Sequence, residues 1–428
     1  MDSIFAQATA TGRAGVSVIR LSGFQAFDIA RIFCKLPEVG RTGLRAVRGR
    51  DGALIDQALV LCFEQGASFT GERVVEFQVH GGLATVAKLL SELSAQEGCR
   101  LAEPGEFTRR ALENGQLDLN QVEALSDLID AETESQRQQA IRVLDGRFGD
   151  AGEMWRGKLL RAAALLEASI DFSDEEIPDD LSVEVISLVE ETRASIAAIL
   201  ERSMMASKIR IGFTVAIIGA PNVGKSTLLN AIVGRQAAIT SDVAGTTRDV
   251  IECRVDLQGL AVSFLDTAGL RESEDEIENL GISKAYEMAA AADVRVFLVE
   301  EVGEPLPIAL RDGDIVRLNK GDERSSEVGT VSGKTGEGVS ELLSLIAERL
   351  MVKTPQDVVA IRERQITGLR AAESFLGRVL ELTQADPLPF ELASQELYFA
   401  LSELDFVFGR IDIESVLDEI FSSFCLGK

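Results

Sequence analysis

The chain has 428 residues, 46% of them hydrophobic and 26% charged, which excludes a disordered or fibrous protein and allows two or three ordinary domains. No run approaches the ~18 apolar residues that span a bilayer and no basic, apolar-cored leader opens the chain, so the reading is cytoplasmic. Five scattered cysteines without Cys-x-x-Cys spacing indicate neither a disulfide framework nor a zinc site, and 43 basic against 69 acidic residues, net charge -26, argue against a broad phosphate-binding surface on this chain alone.

To about Leu117 the chain mixes apolar runs, GVSVIRLSG and VVEFQVHGG, with Gly-rich turns and helical stretches near Phe24 to Cys34 and Leu83 to Glu97, an α+β pattern. Its one histidine, His80, reads as a packed or hydrogen-bonded residue rather than a catalyst. From Asp118 the texture becomes helical, in NQVEALSDLIDAETESQRQQAIRVL and WRGKLLRAAALLEASI, with apolar residues three and four apart. The run from Asp171 to Glu191 holds nine carboxylates and no Lys or Arg, and reads as a solvated loop and helix face.

Near Lys208 an α/β unit begins. RIGFTVAIIGAPNVGKSTLLNAIVG is a buried-type strand, a loop and a helix, and VSFLDTAG, VRVFLVE and IVRLNKGD follow as further strands at intervals suited to intervening helices. The stretch before the last of these is short, so that edge of the unit is expected to be trimmed. Beyond Pro355 the helical texture returns, in IRERQITGLRAAESFLGRVLEL and SQELYFALSELDFVFGRID. The simplest architecture is an α/β domain inserted between two halves of one helical domain, each half offering an apolar stripe to the other. The domains expected are 1–117, 118–208, 209–352 and 353–428.

GAPNVGKS, Gly219 to Ser226, matches G-x-x-x-x-G-K-[ST] in the required context, after a strand and opening a helix. The amides around Val223, Gly224 and Thr227 and the helix N-terminus would cradle phosphates, Lys225 would reach the β/γ oxygens, and Ser226 would ligate Mg²⁺. DTAG (Asp266, Thr267, Ala268, Gly269) puts a carboxylate behind the magnesium and an amide at the γ-phosphate. In NKGD, Asn319 and Lys320 precede Asp322, which would accept from the N1-H and exocyclic amine of guanine, and SGK (Ser332, Gly333, Lys334) would back the base. These elements in order specify GTP.

The loop from Ala237 to Glu252 carries Ser241, Asp242, Val243, Ala244, Gly245, Thr246 and Thr247 against the nucleotide, with Thr247 as second Mg²⁺ ligand. Asn222, inside the phosphate loop, offers an amide oxygen suited to a monovalent cation. One expected residue is missing: after DTAG, where switches of this kind carry a water-orienting Gln, stands Leu270.

The blocks GAPNVGKSTLLN, DVAGTTRD, DTAGLRES and IFSSFCLGK, with ATATGRAGVSVIRLSG, SFTGERVVEFQVHGG and AEPGEFTRRALENGQLDLNQVEALSDLIDAET, resemble the MnmE (TrmE) family of tRNA-modification GTPases over residues 3 to 428. The resemblance implies a multidomain α/β and α+β fold in which a P-loop GTPase domain is inserted in a helical domain and preceded by a folate-binding α+β domain. It implies K⁺ held by Asn222, Ser241, Val243 and Thr246, supplying the charge of an arginine finger, with the water oriented by Glu278. On residue type alone Glu278 is one of five acids in ESEDEIE. Arg248 and Asp249 of the GTTRD block complete the candidate catalytic set.

Formyl-tetrahydrofolate would be bound by Arg20, Glu76, Gln116 and Lys428; Gln116 stands where the family carries lysine. Cys425 lies in the terminal FCLGK as a residue of possible chemistry. The implied partners are a second copy of the chain, tRNA, and the flavin- and NADH-using MnmG in a heterotetramer or larger complex. The implied reaction adds a carboxymethylaminomethyl-type group at C5 of the wobble uridine. A potassium-type GTPase assisting ribosome assembly is the alternative.

Overall fold

The computed structural model describes residues 2–171, 180–236, 251–266, 287–319, 329–351, 362–385, 388–411 and five positions beyond, 417, 420, 421, 424 and 427. Its contacts divide the chain into two compact units, residues 1–126 with 404–428, and residues 127–403.

The first unit is built on a six-stranded sheet of order β3-β4-β5-β2-β1-β6. The strands are β1 (Ser3–Gln7), β2 (Ala14–Ser22), β3 (Thr42–Arg48), β4 (Leu54–Phe63), β5 (Val74–Gly81) and β6 (Cys99–Leu101). Neighbours are antiparallel except β6, which runs parallel to β1. Along β5 the apolar residues Val75, Phe77 and Val79 alternate with the partly exposed Glu76 and Gln78, so one face is dry. Helices α1 (Ala26–Phe33) and α2 (Leu83–Ser94) cover that face, where Phe5, Ile19, Phe27, Phe33, Phe77 and Leu89 share one core. On the opposite face Ile4 and Ala6 meet Phe107 of α3 (Glu106–Glu113). Val122 of α4 (Leu119–Ile129) packs with Phe421 and Phe424 from the far end of the chain.

In the second unit, helices α5 (Glu134–Leu144), α6 (Arg147–Asp171) and α7 (Asp180–Ile211) lead into the α/β part. Lys158 pairs with Glu191 and Arg161 with Glu184, partners that run in opposite chain directions and so make α6 and α7 antiparallel. Trp155, fully buried, donates to Ser195 Oγ at 3.0 Å. Helix α7 covers the lower half of the acidic run, as the helix-face reading requires; residues 172–179 lie outside the described residues.

The inserted sheet has order β11-β10-β7-β9-β8: β7 (Phe213–Gly219), β8 (Ile251–Leu257), β9 (Leu260–Asp266), β10 (Val294–Val299) and β11 (Ile315–Leu318). It is parallel apart from the β8–β9 hairpin. Helices α8 (Lys225–Val233) and α9 (Val339–Met351) share a core with the strands through Ile217, Leu228, Phe264, Val296 and Ile346.

Two expectations need correction. The loop read as ending at Glu252 gives way to strand β8 already at Ile251. The link from β10 to β11, residues 300–314, contains no helix: Gly303, Pro305 and Pro307 break its first half, and the five residues left before Gly313 allow little more than a single turn. Leu306 and Ile308 pack on Phe297 instead, and the Arg295 guanidinium, 4% exposed, donates to Asp314 at 2.9 and 2.5 Å and to Ala309 O at 3.0 Å. An ion pair thus anchors the trimmed edge where a helix would have packed. After the insertion, α10 (Glu363–Leu382) packs on α7, with Arg193 Nε 3.5 Å from Glu373, and α11 (Phe390–Val407) follows. The helices on either side of the α/β part therefore share contacts, as their one-sided stripes demand.

Candidate functional site

Strand β7 ends at Gly219 and the chain turns over residues 220–224 before α8 opens at Lys225. Asn222 takes φ 63° and Gly224 φ 97°. Asparagine is among the few side-chain-bearing residues at ease there, and glycine the one with no steric cost, so both identities fit the bend. At Gly224 a β-carbon would also stand 2.6 Å from the Asn319 amide nitrogen. The bend aims the loop amides and the α8 N-terminus at one point, an anion-binding arrangement. Buried Lys225 donates Nζ to the carbonyls of Gly219 and Ala220, both at 2.8 Å, which holds its ammonium at the loop mouth. Ser226 and Thr227 are exposed on the first turn of α8, and Asn222 is exposed on the loop.

Asn319 and the SGK segment come to the same place. Asn319, 7% exposed, follows β11; its side-chain amide donates to Val223 O and its backbone N–H to Val299 O at 2.9 Å. The phosphate loop is thus tied to the end of β11 by the Asn319 side chain across 96 positions of sequence. Ser332 is buried and accepts from Thr335 N–H at 3.2 Å, Gly333 lies against the Thr227–Leu228 backbone, and Lys334 is exposed. Asp266 closes β9 opposite Ile217 of β7. Ser241, Asp242, Val243, Ala244, Gly245, Thr246, Thr247, Arg248, Asp249, Thr267, Ala268, Gly269, Leu270, Glu278, Lys320 and Asp322 lie outside the described residues.

A second cluster sits in the first unit. Arg20 and Glu76 face each other in register on β2 and β5, and Arg20 Nε donates to Glu76 Oε1 at 2.9 Å. The guanidinium lies 5.4 Å from the Phe69 ring and 5.6 Å from that of Phe107, held by aromatic faces. Below it runs a buried polar network. Arg110, with a 6% exposed side chain, donates to Glu72 at 3.1 Å and to Glu106 at 3.0 Å; Arg100 makes a bidentate pair with Glu106 at 2.6 and 2.8 Å. Ser22 Oγ donates to Glu72 at 2.7 Å and Asn114 Nδ2 to Thr70 O at 2.7 Å, fixing the SFTGE loop. Burial pushes the Glu106 carboxyl up, but Arg100, the Glu103 amide and Arg110 outweigh it and hold the group below the usual carboxylate range.

Gln116 is beside Gly71 of that loop, and its N–H donates to Ala111 O at 2.8 Å. The chain's end arrives from the other side. Phe421 lies against Gly105 and 5.0 Å from the Arg109 guanidinium, and Gly427, φ 98°, leaves no room for a β-carbon between itself and Gln7 O and Ala8. Since Ala6 pairs with Arg20 in register, Gly427 meets the chain at Gln7, one residue along β1 from the Arg20 rung. Cys425 and Lys428 themselves lie outside the described residues. His80 hydrogen-bonds Asp56 through Nδ1 at 2.8 Å and is exposed, in keeping with the non-catalytic reading.

Phe69, Phe107, Glu72 and Arg110 were not singled out from sequence. The available signal was the pair of arginines in EFTRRALE, one of which must face inward on an eight-residue helix whose Phe107 and Ala111 are buried.

A family model described as the MnmE helical domain matches residues 119–425, and one described as the GTP-binding protein TrmE N-terminus matches residues 3–116. Proteins named tRNA modification GTPase MnmE from Roseobacter denitrificans and Ruegeria pomeroyi are 52% and 51% identical, each alignment covering all of both chains. Among solved structures, Era from Aquifex aeolicus bound to GDP and aluminium fluoride is 26% identical, with 38% of this chain and 66% of that chain covered and a TM-score of 0.26.

Proposed function

The chain belongs to the MnmE (TrmE) family of tRNA modification GTPases, and we propose from that premise that it hydrolyses GTP in the modification of C5 of the wobble uridine of tRNA. The observation that carries the reading is the phosphate loop tied to the base-reading block, with Lys225 at its mouth and Asn319 bridging to Val223. In this reading the domains are 1–117, 118–208, 209–352 and 353–428.

The described residues fit the groups implied, and the remaining candidates would complete each set. For GTP the fit is the loop of amides at the α8 N-terminus; Asp322 would read guanine, with Lys320 and Lys334 to flank the base. For Mg²⁺ it is the Ser226 hydroxyl on the first turn, joined by Thr247. For K⁺ it is the exposed amide of Asn222 at the loop crest, a hard oxygen donor at a position whose φ favours asparagine, joined by Ser241, Val243 and Thr246. Bound K⁺ would supply positive charge next to the phosphates, the part played elsewhere by an arginine. This chain's own part is then to hold the water with Glu278 in place of the glutamine that Leu270 replaces, with Arg248 and Asp249 shaping the loop.

For formyl-tetrahydrofolate the fit is Arg20 paired with Glu76, side chains 20% and 17% exposed beside the aromatic ring of Phe69. A guanidinium and a carboxylate offer paired donors and acceptors to a pterin-like edge. Gln116 lies beside Gly71 of the neighbouring loop, Lys428 follows Gly427, which meets β1, and Cys425 stands three residues before Lys428 in sequence. The chain acts as a homodimer through the α+β domain, together with MnmG in a heterotetramer or larger complex on tRNA, in the cytoplasm.

Turnover measured in potassium and in sodium tests the central assignment. We expect much faster GTP hydrolysis in potassium, loss of that stimulation in Asn222→Ala with nucleotide still bound, and a 10²- to 10⁴-fold slower rate, on the order of a lost water-orienting group, in Glu278→Ala. Equal rates in the two salts would overturn it.

A further inference from the structure

The β8–β9 hairpin has two different ends. At the open end Ile251 faces Asp266, so one strand continues from residues 237–250 and the other runs into residues 267–286, the stretches that carry GTTRD and DTAG. At the closed end Gln258 and Gly259 both take positive φ, 53° and 87°, the signature of a two-residue type I′ turn. Asp256 Oδ1 accepts from Gly259 N–H at 2.7 Å, which locks the turn. Each strand is seven residues long, so the two ends stand about 20 Å apart.

The closed end is seated on the helical part. Ser135 N–H, in the first turn of α5, donates to Gly259 O at 3.2 Å. Further along β8, Arg254 Nε stands 2.8 Å from Glu132 Oε2, while Arg254 Nη2 donates to Ile211 O at 3.0 Å. Glu132 precedes α5, whose Gln136 and Gln139 donate to Arg210 O and Ala206 O at the end of α7. A polar cavity of about 270 Å³, bounded by Asp127, Glu132, Gln136, Arg210 and Arg254, lies at this junction. Close packing is thus interrupted here, and position is set by a few directed contacts.

The side chains of Arg254 and Glu132 are 32% and 26% exposed, so solvent screens the pair and its contribution to stability is small. Its geometric effect is not small, because β9 is hydrogen-bonded on one side to β8 and on the other to β7, which ends in the phosphate loop. A shift at the closed end is therefore passed along the strands rather than absorbed.

We propose that Arg254 and Glu132 are positioning residues for GTP hydrolysis: by holding the middle of β8 against the helical part they fix where the hairpin, and with it the Asp266 end of β9, lies beside the phosphate loop that ends β7. The inference rests on the phosphate-loop reading, and Lys225→Ala, expected to abolish nucleotide binding, separates a failure of that reading from a failure of this one. In the full-length chain, Glu132→Gln and Arg254→Gln are each expected to lower kcat for GTP by on the order of tenfold, with KM and the thermal midpoint nearly unchanged. The reversed pair, Glu132→Arg with Arg254→Glu, is expected to recover most of the loss. Arg254→Lys, which keeps the charge, serves if the reversed pair folds poorly, and should likewise retain most of kcat. Wild-type kcat in both single variants, or equal loss in Arg254→Lys and Arg254→Gln, would overturn the proposal.

Discussion

The two candidate sites are built by opposite means. In the α/β part the binding surface is backbone: a loop bent through Asn222 and Gly224, the open N-terminus of α8, and one bridging amide from Asn319. In the α+β unit it is side chain on side chain, with Arg20 against Glu76 resting on rings held by the Arg110, Glu72, Glu106 and Arg100 network. A backbone cradle depends on a few glycine and asparagine dihedrals and little on what lies beneath. A side-chain network depends on every buried charge finding its partner. Damage should accordingly appear as lost ligand affinity in the first case and as lost stability in the second.

The largest effect should come from Arg110→Met, which leaves Glu72 and Glu106 short of a buried partner. We expect a loss of about 3–5 kcal/mol in chemical denaturation, with GTP affinity unchanged. A wild-type denaturation midpoint would break the contrast. Gly224→Ala is its counterpart: the strained dihedral and the approach of the new carbon to Asn319 should cost about 1–3 kcal/mol, read as weaker binding of a fluorescent GTP analogue, with a smaller drop in the denaturation midpoint than Arg110→Met causes.

Acid should sharpen the contrast further. Because the Glu106 carboxyl is held below its ordinary value of 4.5 in the folded chain, the folded state binds that proton more weakly than the unfolded state does. Its stabilisation is present above that value and is lost as pH falls through the lower, folded one. Midpoints recorded down a pH series should fall in that window, and less so in Glu106→Gln, whose amide has no proton to take up. The smallest effect concerns thiols. Burial pushes Cys34, Cys62 and Cys99 up to about 11, so a thiol reagent at neutral pH should leave all three unmodified until the chain is unfolded, as peptide mapping would reveal.

The same contrast governs how much could be read from sequence. The phosphate loop was legible because its physics is local: a strand, two positive-φ positions and a helix start occupy eight consecutive residues. Helices α4, α5, α6, α10 and α11 were legible from their helical texture, and β2, β5, β7, β9 and β10 from short apolar runs, whereas most of α7 was not singled out. The Arg110–Glu72 pair spans 38 positions and the Arg362–Asp127 pair 235, and no local pattern announces partners so distant. The shortness of the β10–β11 link was visible, but not its solution, since a buried Arg295–Asp314 pair in place of a helix depends on which side chain the sheet turns inward. The seat of the β8–β9 turn on Ser135 was equally hidden, because both groups involved are backbone.

The packing of Phe421, Phe424 and Gly427 into the unit that begins with β1 bears on how the protein is made. A ribosome delivers residues 1–126 first and the closing segment last, with the entire GTPase unit emerging in between. At roughly 5–20 residues per second that interval lasts on the order of 15–60 s. Throughout it the nascent sheet has its α3 and α4 side uncovered at Gly105 and Val122, an apolar surface awaiting its lid. The unit translated second can therefore be complete before the unit translated first, and a nascent chain stalled late in the insertion would carry a folded second unit while the first still exposes an open hydrophobic face, the kind of surface that chaperones bind.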